Sequence, residues 1–533
     1  MALFINAFAF MFTIATLTSL ATVTCNASNI LMIFDKPGTS HFHDAAVIAT
    51  LLNDKGHNIT FLLPEGSEIS AAEKQYEGKF SFVGFRKRCK DVIRTPDVVQ
   101  MAQDVQVKGK SLAIQIIELP LKVSKAVVDI YIESTEDLFC DTSVADTLMT
   151  SNFNLILFEG SFLWLHALIQ KFDIPYAMLT TSAASSQTNS WIRAPNLPAA
   201  VPGFIFRSHH RKAMSFYWRT YNAAMIYGSV IFFTMFADQA IVSAGSYFYS
   251  TPLYAPTRSF GLADVWLTNT DHSTDVPRPF MPNTALVGGL SIEDPSTLSE
   301  EFQIIIDSSG DDGLLIVSLG TVVKGISQEQ TDAMAAAFSR LPQTVVWKET
   351  VPRPSFIGKN TILKKWIPQK DLIAHPKTRA MVYHCGNNGA FEALYQGVPI
   401  IAVPVFADQV DVAYRVMSNG MGLVIEPPTL TNETMFQAVF EVINNPKYRK
   451  RAKYLSAVYR DNPDPAPVRA AFWIEYVLRH RGNRLMRAKV ASMGLIQEYL
   501  LDVWACCICA LIFIIILTKK VVSHVLLVVI RNE

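Results

Sequence analysis

Short apolar runs alternating with amphipathic stretches organise most of this chain. Residues 29–34 read NILMIF; a helical stretch over 43–55 follows, closed by Gly56, and a second apolar run covers 58–63. A strand, a crossover helix and another strand in this order predict a parallel sheet. Apolar runs at 155–158 and 176–179 supply later strands. A Pro-rich passage over 252–282 then separates this half from residues 314–319, where the alternation restarts. The pattern predicts an α/β protein of two doubly wound units.

The densest stretch runs from Trp366 to Asp411, where polar residues and glycines recur at the tips of short apolar runs. Val382 and Tyr383 end a strand-like run, His384-Cys385-Gly386 turns, and residues 389–394 read as a helix whose N-terminus suits an anion. Gly397-Val398-Pro399 closes that helix. Residues 400–405 form a second buried strand, with Asp408 and Gln409 at its carboxyl end, where open α/β sheets bind ligands. The arrangement brings Trp366, His384, Glu392, Asp408 and Gln409 towards one crevice.

This stretch resembles the signature of the UDP-glycosyltransferase family, which runs W-x-P-Q, H-x-G-x-N-[GS], E-x-x-x-x-G-[VI]-P, D-Q. The resemblance continues through Val317-Ser318-Leu319-Gly320-Thr321, Pro277-Arg278-Pro279, Val287-Gly288-Gly289-Leu290 and Ala471-Phe472-Trp473-Ile474-Glu475. It covers nearly the whole chain and is closest to animal, nematode-like UDP-glucuronosyltransferases. It implies the GT-B fold, two Rossmann-like domains facing across a cleft. The acceptor-binding domain is expected over 26–270, a linker over 271–290 and the UDP-sugar-binding domain over 291–480. A Rossmann oxidoreductase fits poorly, since no Gly-x-Gly-x-x-Gly follows a strand.

The same resemblance assigns roles. His41, after Ser40 at the start of the first helix, takes the place of the family's catalytic base, ahead of its neighbour His43. Glu159 stands where the family has the Asp that orients that His, with Asp141 as the fallback. Trp366 is expected to stack on uracil and Gln369 to hydrogen bond its edge. Glu392 would accept from the ribose hydroxyls. His384, Asn388 and Gly389 would meet the diphosphate, with Ser318, Gly320 and Thr321 forming a second turn for it and Lys348 adding a cation. Asp408 and Gln409 would hold the sugar hydroxyls. Cys385 replaces a Gly usual in animal relatives; no local motif supports it as a nucleophile. The implied product is a glycoside of a small lipophilic acceptor, formed with inversion. Glucuronate is the expected donated sugar, with glucose as the alternative, and a catalytically silent binding relative is the rival from another class.

Charge is balanced, with Lys+Arg 47 against Asp+Glu 46, so no electrostatic footprint for nucleic acid exists. No Asp-x-Asp occurs, no His/Cys cluster has metal-ligand spacing, and neither metal nor cofactor is expected; the UDP-sugar is a co-substrate. Hydrophobic content of 50% points instead to membrane segments. The first charged residue is Asp35, and residues 7–23 suit the core of a secretory signal, read as 1–25, with an uncleaved anchor as the alternative. Residues 481–499 read as a juxtamembrane segment and 500–518 as a transmembrane helix, with Lys519-Lys520 favouring a cytosolic tail over 519–533. The chain is then a single-pass type I protein of the endoplasmic reticulum membrane with luminal domains. Luminal exposure would make the sequons at Asn58 and Asn432 usable and allow a Cys89–Cys140 bridge. Residues 220–237 are also uncharged and suit an acceptor-pocket or membrane-dipping helix. A homo-oligomer stands open.

Overall fold

The computed structural model describes residues 27–34, 37–64, 67–85, 142–160, 169, 173–180, 189, 192–203, 213–232, 260–320, 326–350, 352–405 and 408–531. The leader, Cys89, Cys140, Asp141, Thr321 and residues 233–237 lie outside them.

Seven strands form the first sheet: β1 (Asn29–Ile33), β2 (Asn58–Pro64), β3 (Phe80–Phe85), β4 (Leu155–Glu159), β5 (Tyr176–Thr180), β6 (Val265–Thr268) and β7 (Thr284–Leu286). Six form the second: β8 (Leu314–Ser318), β9 (Thr344–Lys348), β10 (Thr361–Lys364), β11 (Thr378–Tyr383), β12 (Ile400–Ala402) and β13 (Gly422–Val424). Every recorded pairing is parallel. The strand orders are β3-β2-β1-β4-β5-β6-β7 and β10-β9-β8-β11-β12-β13. Both sheets therefore reverse direction of winding once, between β1 and β4 and between β8 and β11. These are the switch points at which doubly wound sheets open a crevice beyond their carboxyl ends.

A parallel sheet buried on both faces needs apolar residues at successive positions, which explains the unbroken runs in the sequence. In β1, Ile30 and Met32 pack into one core layer while Leu31 and Ile33 pack into the opposite one. In β8, Leu314 and Ile316 divide from Leu315 and Val317 in the same way.

Seven helices position the site and its anchor: α1 (Ser40–Asp54), α2 (Gln369–Ala374), α3 (Asn387–Gln396), α4 (Gln409–Ser418), α5 (Pro446–Arg460), α6 (Ala466–Arg479) and α7 (Leu501–Arg531). The first helix begins at Ser40, earlier than the hydrophobic pattern predicts, because Thr39 caps it through its hydroxyl on the Phe42 amide.

Two boundaries differ from the sequence reading. Strand β7 lies inside the segment expected to be a linker and completes the first sheet beside β6. Helix α6, inside the span expected for the second domain, returns to the first: Ala470, Ala471 and Ile474 join the core layer of β1 and α1. Lys55 reinforces that return with a 2.5 Å ion pair to Glu475. Beyond α6, Asp264 accepts from the Asn483 amide at 2.6 Å and from Arg487 at 2.7 Å, and Arg193 pairs with Glu498 at 2.7 Å. The approach to α7 is therefore fastened to the first domain.

Helix α7 is apolar and long enough to cross a membrane over Leu501–Val528. It runs through Lys519 and Lys520 to Arg531 without a break, so the segment expected as a separate tail is largely helix. Within residues 220–237, positions up to Phe232 belong to a helix, Phe216–Phe232.

Candidate active site

The switch point of the first sheet carries His41 and Glu159. Glu159 is the last residue of β4 and is buried; His41 enters from α1, just after β1, and its ring is partly exposed. Its Nδ1 stands 2.8 Å from the Glu159 carboxylate. With a proton on Nδ1 donated to Glu159, Nε2 is the nitrogen with a lone pair for an incoming proton. Two residues along the helix, His43 is exposed on another face and takes no part.

The switch point of the second sheet carries the other half. Ser318 ends β8 and is buried, and Tyr383 pairs with it in register from β11, so the turns after both strands meet. Gly320 and His384 pack face to face there. Gly320 has φ +82°, and a Cβ on it would lie 2.8 Å from the His384 ring, so only glycine fits. The His384 ring is held against the Tyr383 ring with centroids 4.3 Å apart. Burial lowers the His384 pKa to about 4, with a hydrogen bond to the Ser318 backbone opposing and the nearby Lys348 ammonium assisting. The imidazole is thus neutral near pH 7 and acts as a hydrogen-bonding group, so cationic character must come from Lys348 and helix amides. Lys348 ends β9, where burial lowers its own pKa.

After that turn α3 opens with Gly386 as its cap and no side-chain cap bond, and in its first turn the Gly389 amide hydrogen bonds the Tyr383 hydroxyl. Asn388 and Gly389 lie in its first turn. Glu392, one turn further, accepts from Gln369 Nε2 at 2.8 Å. Burial raises the Glu392 pKa, and the Gln369 bond opposes the rise. Trp366 precedes Gln369 and is 67% exposed. An indole left open to solvent beside a fixed amide has a face on which a flat ring could stack; as a single residue in the sequence it would more readily be taken for core. Asp408 is the N-cap of α4, and Gln409 turns its amide oxygen onto the Val405 N–H at 2.9 Å. Gln409 is buried, its side chain tied back to Val405 next to Asp408.

Cys385 has φ +63°, left-handed backbone that glycine adopts without strain. Its side chain is fully buried, and burial pushes the thiol far above its usual range, with the Asp408 charge adding to the effect. A buried neutral thiol has no nucleophilic thiolate to offer.

Three residues that sequence reasoning missed join the two halves. Asp44, one turn after His41 on α1, is 1% exposed. Its Oδ1 accepts from Asn388 Nδ2 at 2.9 Å and its Oδ2 from Asn269 Nδ2 at 3.0 Å. Asn387 in turn donates to the Asn269 carbonyl at 2.9 Å. Burial raises the Asp44 pKa to about 7; His41 and the two amides oppose the rise, and Glu159 adds to it. Among the described residues, no group of three or more His, Cys, Asp or Glu is arranged to hold a metal ion.

The family model described as "UDP-glucoronosyl and UDP-glucosyl transferase" matches residues 30–533. The chain belongs to this family. It is accordingly a UDP-sugar-dependent glycosyltransferase of the GT-B fold. It is 31% identical over 504 residues to UDP-glucuronosyltransferase 2C1 of Oryctolagus cuniculus, a match spanning 90% of this chain and 95% of that protein. It is 29% identical over 485 residues to 2-hydroxyacylsphingosine 1-beta-galactosyltransferase of Homo sapiens, spanning 90% of this chain and 85% of that protein. The fold is shared with a UDP-glucosyltransferase from Polygonum tinctorium at TM-score 0.59 and 15% identity, over 85% of this chain and 99% of that one. It is also shared with the glycosyltransferase of kitacinnamycin at TM-score 0.58 and 15% identity, over 85% and 100%.

Proposed function

We propose that this UDP-glycosyltransferase transfers glucuronate from its UDP ester to a hydroxyl of a small lipophilic acceptor, with His41 as general base. The observation that carries the reading is the 2.8 Å contact of His41 Nδ1 with Glu159 at one switch point, facing the donor cluster at the other. His41 Nε2 takes the hydroxyl proton as the acceptor oxygen attacks the anomeric carbon. The bond from that carbon to the diphosphate breaks, UDP leaves, and direct attack inverts the centre. Glu159 orients the ring and stabilises the imidazolium that forms.

Trp366 stacks on uracil, Gln369 reads its edge and Glu392 accepts from the ribose. Backbone amides of α3, with Asn388, Gly389, Ser318, Gly320, His384 and Lys348, take the charge that develops on the diphosphate, without a resident metal. Asp408 holds sugar hydroxyls, beside the buried Gln409. Glucuronate as the donated group is supported by the printed names of relatives such as the rabbit protein. Transfer of a neutral hexose is the second reading, favoured by the human galactosyltransferase relative at similar identity.

Helix α7 spans the endoplasmic reticulum membrane in this reading, with both domains luminal and Lys519-Lys520 on the cytosolic side. Microsomes carrying the full chain, offered UDP-glucuronate, UDP-glucose and UDP-galactose with a panel of lipophilic alcohols and phenols, test the reaction by mass spectrometry of products. Glucuronides are expected; turnover with a neutral hexose alone would replace the sugar assignment.

A further inference from the structure

The residue that binds the two halves of the site most directly is not in the signature. Asp44 shares α1 with His41, and its two carboxyl oxygens accept from side chains of the seam between the sheets. Asn388 reaches it at 2.9 Å from the first turn of α3, and Asn269 reaches it at 3.0 Å from the end of β6. Asn269 is itself fixed, its Oδ1 accepting from the Gly289 amide at 3.0 Å and its carbonyl accepting from Asn387. The four residues form a closed relay from the base-bearing helix to the donor-side helix.

We propose that Asp44 is a positioning residue for the transfer, holding the Asn388 amide and the His41 helix in one frame so that base and diphosphate grip keep a fixed separation. The proposal rests on the donor reading above, in which the start of α3 meets the diphosphate. The chemistry of the carboxyl is specific to this task. It offers two acceptor oxygens, and the seam presents two amide N–H2 donors. An asparagine of the same size offers one acceptor and one donor, so one of the two amides must turn or lose its bond. A seam that needed only packing would hold an apolar residue there, since burying a carboxyl is costly unless its bonds are made. The charged groups facing Asp44 are His41 from its own helix and Glu159 from the end of β4. A shift of Asp44 is therefore felt by the base as well as by Asn388.

The test uses the full chain in nanodiscs, with UDP affinity from calorimetry and initial rates with the sugar donor established for the wild type. Variants are Asp44→Asn, Asp44→Ala, Asn388→Ala and the pair Asp44→Ala with Asn388→Ala. Losing one buried hydrogen bond predicts UDP binding weaker by about 10-fold in Asp44→Asn and in Asn388→Ala, with donor KM rising in parallel. The double variant is expected to fall short of the product of the two single effects, since both changes remove the shared Asp44–Asn388 bond. In Asp44→Asn kcat falls as well, and the donor KM rises while the acceptor KM holds, a split that a loss of folded protein, which lowers apparent kcat and leaves both KM values in place, would not produce. If Asp44→Ala does not fold, Asp44→Asn, of equal size, carries the comparison alone. Wild-type UDP affinity and kcat in Asp44→Asn would overturn the proposal, as would effects at Asp44 and Asn388 that simply multiply. A wild type that binds no UDP would overturn the donor reading and this proposal with it; a wild type that binds UDP beside unchanged variants overturns this proposal alone.

Discussion

His41 Nδ1 lies 2.8 Å from the carboxylate of Glu159, across a sequence separation of 118 residues, because β1 and β4 are neighbours at the switch point of the first sheet. The extra methylene of Glu, relative to the Asp of the family pattern, is accommodated with the contact intact. Glu159→Gln keeps the shape and removes the charge that, with His41 as the proposed base, stabilises the imidazolium. It is expected to lower kcat by about 100-fold or more with little change in donor KM. Glu159→Asp shortens the reach and should lower kcat less than Glu159→Gln does. Initial rates at saturating donor compare the two.

In the proposed reading Trp366 contributes to donor binding alone. Base–aromatic stacking is worth about 1–3 kcal/mol, so Trp366→Ala should raise donor KM by about 5- to 150-fold and leave kcat within about 2-fold. Trp366→Phe should recover most of the loss. Steady-state kinetics with donor varied at fixed acceptor reads both effects.

Burial gives Asp44 and His384 opposite effects on stability as pH changes. Asp44 ionises at about 7 folded against 3.8 ordinarily, so the unfolded chain releases its proton first and the fold weakens as pH rises through that window. His384 titrates at about 4 folded against 6.5 ordinarily, so its contribution is complete above 6.5 and is lost as pH falls towards 4. The two slopes offset each other in the wild type. Asp44→Asn removes only the first, so its stability relative to wild type should climb from pH near 4 to pH near 7 and then level. Denaturant unfolding across that range measures the difference.

Cys385 sits in left-handed backbone with its thiol buried and neutral. Cys385→Gly should therefore retain transfer, and thiol-alkylating reagents should leave wild-type activity intact. Cys385→Val puts a β-branched residue where φ is +63° and should cost about 1–3 kcal/mol of stability, read as a lower denaturant midpoint.

Much of this architecture is legible in the sequence because parallel strands buried on both faces must be written as continuous apolar runs. The donor cluster is legible for a related reason: Gly320, Gly386 and Gly397 mark turns that other residues fit poorly, and the polar groups stand at fixed offsets from them. Asp44 is not legible. One Asp in a helix three residues after a His reads as solvated, and its partners Asn269 and Asn388 lie 225 and 344 residues away. The return of α6 to the first sheet is hidden likewise, since an amphipathic helix declares that it has a buried face without naming the sheet that buries it. Strand β7 is only three residues long beside a Pro-rich passage, too short for periodicity to register.

The most direct test of the account is His41→Ala in the full chain, compared with wild type for sugar transfer and for UDP affinity in the same preparation. Removal of the base should lower transfer by about 100-fold or more while UDP affinity stays within about 2-fold, because base and donor grip lie on different sheets. Transfer at the wild-type rate in His41→Ala, with product still formed from the UDP-sugar, would contradict it.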